Sequence, residues 1–147
     1  TLVDDLGGYG VFGVEFFIQK QNVYFNEMSP RPHDTAMLTL KTQNMSQFEL
    51  HIRAIMNIPI PRIEHLTAGI SIPLIIRNHD KSSCYKTDII KIPRELFQHK
   101  NVSIYIFGKP YVEKRRRMGL LIYTAPTVNM LRTKITELQP YLSNLLP

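Results

Sequence analysis

Val11-Phe12-Gly13-Val14-Glu15-Phe16-Phe17-Ile18, then Lys20-Gln21-Asn22, then Val23-Tyr24-Phe25-Asn26-Glu27-Met28, is the stretch on which the fold turns. Two apolar, aromatic runs flank a polar connection of about three residues, which predicts a β-hairpin. Glu15 and Glu27 are equidistant from Gln21 and share its parity. A symmetric hairpin therefore places both carboxylates on one face, nearly opposite each other. Like charges directly opposite destabilise a strand pair, so something must compensate. A divalent cation with oxygen ligands does so, and Mg²⁺ favours one or two carboxylates plus substrate phosphates. Two solvated glutamates, or a register shifted by one, are the alternatives that spacing leaves open.

Outward from the hairpin, Ser29-Pro30-Arg31-Pro32-His33-Asp34 cannot continue a central strand, because each proline removes a donor and restricts its predecessor. Arg31 can bind phosphate bidentately, and Asp34 can hold an amine or take its proton. A rigid loop that caps its own backbone is the competing reading. Ser46-Gln47-Phe48-Glu49 matches a capping box, Phe48, Ile52, Ile55 and Met56 follow at helical spacing, and Pro59 and Pro61 end the helix. Strands are expected at 69–76, 102–107 and 118–124, with a surface loop over 77–86 and a turn at 108–110. A last helix starts after Pro126, with a stripe of Val128, Leu131, Ile135, Leu138 and Leu142 interrupted near Pro140. The class is α+β.

The chain has 147 residues, 44% hydrophobic and 20% charged, with 18 Lys+Arg against 12 Asp+Glu. Those values fit globular structure and argue against disorder or a disulfide scaffold. No apolar run approaches the roughly 18–20 residues of a membrane span, and no signal segment is evident. The lone Cys84 has no internal partner, so a reducing compartment is expected. Thr1-Leu2-Val3-Asp4-Asp5 reads like a cut through something longer. Of the net charge of +6, the segment 109–117 carries +4 through Lys109, Lys114, Arg115, Arg116 and Arg117 against Glu113. A cluster that local suggests one anionic ligand rather than a broad nucleic-acid footprint. A solvated sheet edge explains it equally well, and arginines on a strand alternate in direction. The other histidines have no metal-ligand spacing, and neither phosphate-loop motif occurs in its required context.

Gly10 to Phe17 and Phe25 to Thr35 resemble the carboxy-terminal part of the formate-dependent phosphoribosylglycinamide formyltransferases, in the ATP-grasp superfamily of purine biosynthesis. The resemblance continues through Ser46 to Ala54, Phe107-Gly108-Lys109-Pro110 and Arg116-Arg117-Met118-Gly119. It implies that Glu15 and Glu27 hold Mg²⁺ with ATP, and that Asp34 contacts glycinamide ribonucleotide. It implies that Lys109, Arg116 and Arg117 hold the ribonucleotide phosphate, and that Arg31 lies near the transferred phosphate. The implied reaction makes formyl phosphate from formate and ATP and then formylates the amine. The implied setting is a cytoplasmic homodimer with no nucleic-acid or membrane partner.

The resemblance places the end of an ATP-grasp domain at 1–43. A mainly antiparallel β carboxy-terminal domain with flanking helices follows at 44–147. The adenine pocket, glycine-rich loop and ATP lysines of the family are missing, so the chain alone is not expected to turn over. Ala36, Tyr111 and Glu113-Lys114 depart from the usual pattern, where Gly, an acid and an Asp-Gly-like pair are common. A related carboxylase acting on aminoimidazole ribonucleotide is an alternative, although it typically has Asn at the position of Asp34. A small basic nucleic-acid-binding module is the alternative from another class.

Overall fold

A computed structural model describes residues 2–77, 85–86, 92–112 and 115–143. Cys84, His79 and most of the expected 77–86 loop lie outside the described residues. The chain divides into two compact units, Thr1–Leu66 and Thr67–Pro147.

The first unit opens with a short helix α1 (Leu2–Asp5), then the antiparallel pair β1 (Gly13–Gln19) and β2 (Asn22–Ser29). The expected hairpin is present, but its turn is tighter. Gln19 pairs with Asn22, leaving only Lys20 and Gln21 in the connection, and Lys20 takes a positive φ of 57°. Two-residue hairpin turns require such left-handed backbone. With that turn alone Glu15 would face Asn26. The register shifts between Glu15 and Phe16, so Asn26 becomes an extra residue in β2 and Glu15 pairs with Glu27. The carboxylates are thus opposite each other through a bulge, not through a symmetric three-residue loop.

A 3₁₀ turn over Asp34–Leu38 leads into α2 (Thr39–Thr42) and α3 (Gln47–Ile55). Ser46 caps α3 by accepting from the Glu49 amide, as the capping box predicts. Glu49 itself turns outward to Arg53, 3.1 Å away. The helix stops before Pro59: Asn57 adopts φ 53°, and the Ile58 amide donates to the Arg53 carbonyl at 2.8 Å. This is a Schellman ending with Asn in the left-handed position.

The first compact unit runs on past residue 43 to Leu66. Gln47 is 3% exposed and bonds to His33, His51 accepts from the Val11 amide at 3.0 Å, and Gln43 bridges to His65. These contacts tie α3 and the segment to Leu66 onto the hairpin side.

The second unit is a three-stranded antiparallel sheet ordered β3 (Ala68–Arg77), β7 (Arg115–Ala125), β5 (Val102–Ile106). A small pair, β4 (Tyr85–Lys86) with β6 (Tyr111–Val112), accompanies it, and β4 falls where a loop was expected. Central β7 supplies Leu121, Tyr123 and Ala125 to a core shared with Leu74, Leu96, Leu131 and Leu138. α4 (Val128–Ser143) runs straight through Pro140 instead of being interrupted there. Pro140 lies near the end of the helix, where Leu138, 1% exposed, and Tyr141 still pack on the core. That packing offsets the roughly 3 kcal/mol a helical proline costs.

A second bulge shapes the basic end of β7. Leu74 pairs with Gly119 and Ile75 with Arg117, which leaves Met118 as the extra residue, 1% exposed. A Cβ on Gly119 would collide with the Tyr105 carbonyl on β5, so only glycine lets these strands approach.

Gly119→Ala is expected to lower stability by about 1–3 kcal/mol, because β5 must shift to admit the methyl group. Urea denaturation checks this. Gln47→Ala leaves the His33 amide without its partner, at about 1–3 kcal/mol, while the His33 carbonyl keeps its bond from the Ala36 amide at 3.2 Å. Amide hydrogen exchange should show His33 losing its protection while β7 keeps its own.

Candidate functional site

The first unit gathers its polar groups at one end of the hairpin. Cross-strand pairing sets Glu15 against Glu27. His33 Nε2 stands 3.3 Å from Glu15 Oε1 and 3.9 Å from Glu27 Oε1. One ligand atom from each of the three residues falls within 4.8 Å of the others. The bulge residue Asn26 donates from Nδ2 to Glu15 Oε2 at 3.2 Å, which orients that carboxylate. Among the described residues no Lys or Arg forms an ion pair with either glutamate. The donor chemistry fits a divalent cation: two carboxylates suit Mg²⁺, and an imidazole nitrogen adds a softer third donor.

His33 owes its place to two residues with no charge of their own. A Cβ on Gly13 would lie 2.7 Å from His33 Cβ and 3.0 Å from Cγ, so the ring can lie against β1 only because that strand begins with glycine. Gln47 then brackets the His33 peptide. Its Oε1 accepts from the His33 amide at 2.9 Å, and its Nε2 donates to the His33 carbonyl at 2.7 Å. Gln47 is positioned in turn by its own amide, which donates to Thr39 Oγ1 at 3.0 Å. The His33 side chain is left 11% exposed.

Asp34 is the next residue along and opens the 3₁₀ turn, with Oδ1 3.2 Å from His33 Nδ1. One imidazole therefore touches three carboxylates, two expected to serve a metal and one expected to serve an amine. Arg31 does not join them: its Nη1 donates to the Pro32 carbonyl at 3.1 Å and the side chain is exposed.

The second unit holds the remaining expected residues between β5 and the first residues of β7. Lys109 Nζ donates to the Arg117 carbonyl at 3.0 Å and sits 5.3 Å from the centre of the Phe107 ring. Arg116 Nη1 donates to the Tyr111 carbonyl at 2.6 Å. Lys109, Arg116 and Arg117 are thus gathered on one short stretch, while the side chain of Arg115 lies outside the described residues.

Gln47 and Gly13 escaped the sequence reading as site residues. Gln47 looked like an interior member of a capping box, and Gly13 had no partner in sequence to mark it. His33 was visible as a loop residue, but its distance from Glu15 along the chain hid the contact.

Comparisons with known proteins place the chain beside a family of enzymes. Residues 1–48 match the ATP-grasp domain family. The chain is 44% identical over 139 residues, 93% of its length, to the formate-dependent phosphoribosylglycinamide formyltransferase of Syntrophotalea carbinolica. It is 40% identical over 97% of its length to the protein of that name from Bacillus velezensis. It covers 34% and 36% of those two proteins, about a third of the curated relatives it matches. Among solved structures it resembles N5-carboxyaminoimidazole ribonucleotide synthetase from Thermotoga maritima, with TM-score 0.76, 29% identity, and coverage of 95% of this chain and 38% of that one. The phosphoribosylaminoimidazole carboxylase ATPase subunit from Aquifex aeolicus gives TM-score 0.78 at 27% identity over 96% of this chain and 41% of that one. Over nearly all its length this α+β chain is similar to the carboxy-terminal part of the formate-dependent phosphoribosylglycinamide formyltransferases.

Proposed function

We propose that this chain supplies the metal-binding carboxylates and the ribonucleotide-binding groups of an ATP-dependent formyltransferase acting on glycinamide ribonucleotide. The observation that carries the reading is the Glu15–Glu27 pair, built opposite each other by a bulge and linked through the His33 ring to Asp34. Glu15 and Glu27 hold Mg²⁺ with ATP; the ion's contribution when bound is to offset negative charge on the phosphates. A formate oxygen attacks the γ-phosphorus, ADP leaves, and formyl phosphate results. The ribonucleotide amine then attacks the formyl carbon, inorganic phosphate leaves, and the displaced amine proton passes to a base.

Each residue has a physical task in that sequence. Asp34 holds the amine and can accept its proton. Lys109, Arg116 and Arg117 bind the ribonucleotide phosphate, Lys109 as a point charge and the arginines through planar forks. The exposed Arg31 side chain, which donates to its neighbour's carbonyl, can reorient toward the transferred phosphate. Holding amine and acyl phosphate in one orientation contributes up to about 7–11 kcal/mol.

A carboxylase acting on aminoimidazole ribonucleotide is the second reading, supported by the shared fold. Identity of 40–44% with the formyltransferases against 27–29% with those two structures favours the first.

Calorimetric titration of both ribonucleotides into the chain separates the two. Glycinamide ribonucleotide is expected to bind more tightly. Arg116→Ala should weaken it about 10–100-fold, the worth of charge-assisted phosphate bonds, and Asp34→Ala should weaken it as well. Tighter binding of aminoimidazole ribonucleotide, or no effect of either substitution, would overturn the assignment.

A further inference from the structure

We propose that His33 is itself a metal ligand, so that the cation held by Glu15 and Glu27 sits in a mixed site of two carboxylates and one imidazole. This rests on the reading of Glu15 and Glu27 as the cation site and adds a donor to it. Three observations converge on the ring.

The first is distance. Donors bound side by side on one ion, each at about 2.1 Å, stand about 3 Å apart. His33 Nε2 lies 3.3 Å and 3.9 Å from one oxygen of each glutamate, so small adjustments bring all three onto a common ion.

The second is the tautomer. Nδ1 lies 3.0 Å from Thr35 Oγ1 and 3.2 Å from Asp34 Oδ1. With a cation at the glutamates, Nδ1–H donates to the Asp34 carboxylate and Nε2 gives its lone pair to the ion; without one, the carboxylates facing Nε2 equally favour an N–H there. The Thr35 amide also faces Nδ1, but at 3.5 Å it is the longest of the three contacts. A ring that donates one N–H to a carboxylate and turns its other nitrogen outward is the arrangement of metal-binding histidines. Here that second nitrogen meets two carboxylate oxygens, and a cation between them satisfies all three donors.

The third is rigidity. Gly13 lets His33 approach β1 closely, and Gln47 fixes the His33 peptide from both sides. A ligand held this way loses little freedom on binding. A nitrogen in the donor set also shifts preference toward Mn²⁺, Co²⁺ and Zn²⁺ relative to an all-oxygen site, because Mg²⁺ binds nitrogen poorly.

Pulsed electron paramagnetic resonance of the chain with Mn²⁺ tests the assignment. The wild-type protein is expected to show nitrogen modulation from a coordinated imidazole. Labelling histidine with ¹⁵N should convert that pattern to its ¹⁵N form without altering the protein. His33→Ala should abolish the modulation and weaken Mn²⁺ about tenfold or more. Mn²⁺ that binds, is lost in Glu15→Gln and Glu27→Gln, and shows no histidine nitrogen coupling would overturn the role of His33 while leaving the carboxylate site intact. Mn²⁺ binding unaffected by either glutamine substitution, or no binding at millimolar Mn²⁺, would overturn the carboxylate site and this proposal together.

Discussion

Two carboxylates held face to face across a hydrogen-bonded strand pair are the constraint around which the first unit is arranged. At 4 Å two like charges repel by about 4 kcal/mol at an effective dielectric of 20. Side-chain exposures of 36% for Glu15 and 57% for Glu27 let water screen much of that. What remains must be met by a neighbour. The structure meets it with Asn26, a donor to Glu15, and with the imidazole of His33. Each has its own support: the bulge presents Asn26, while Gly13 and Gln47 position His33. The unit thus maintains an arrangement that is unfavourable by itself and that the proposed cation would relieve.

Much of this was legible in the sequence. Apolar runs on either side of Lys20-Gln21-Asn22 fixed the hairpin, and equal spacing from Gln21 put Glu15 and Glu27 together. The pairing was right, although the path to it was different. A tight turn and a bulge compensate each other, and no periodicity separates that combination from a symmetric loop. The helix after Ser46 was legible at both ends, through its cap and through Pro59. Its attachment to the hairpin was not, because a buried glutamine amide bonding to a distant peptide leaves no local pattern. Backbone bonds from Leu66 to Thr42 and from Asn44 to Glu64 then carry the compact unit on to Leu66.

In the second unit the alternation of Val102, Ile104 and Ile106 and the apolar run after Met118 located β5 and β7. The sequence did not reveal that Met118 is a bulge residue or that Gly119 touches β5 through its missing side chain. Nor did it reveal the engagement of Lys109 and Arg116 with backbone carbonyls, which gives two long side chains defined positions instead of leaving them as a solvated cluster. Pro140 misled in the other direction. Local propensity argued for a break, and packing of Leu138 and Tyr141 overrode it.

The central claim is that Glu15 and Glu27 face each other in order to share one cation. Anomalous diffraction from crystals grown with Mn²⁺, collected near the manganese edge, tests it directly. The account predicts a single strong anomalous peak between the two carboxylates, about 2.1–2.2 Å from an oxygen of each. A well-ordered hairpin with no peak there, or with the two carboxylates turned apart and the ion elsewhere, would contradict it.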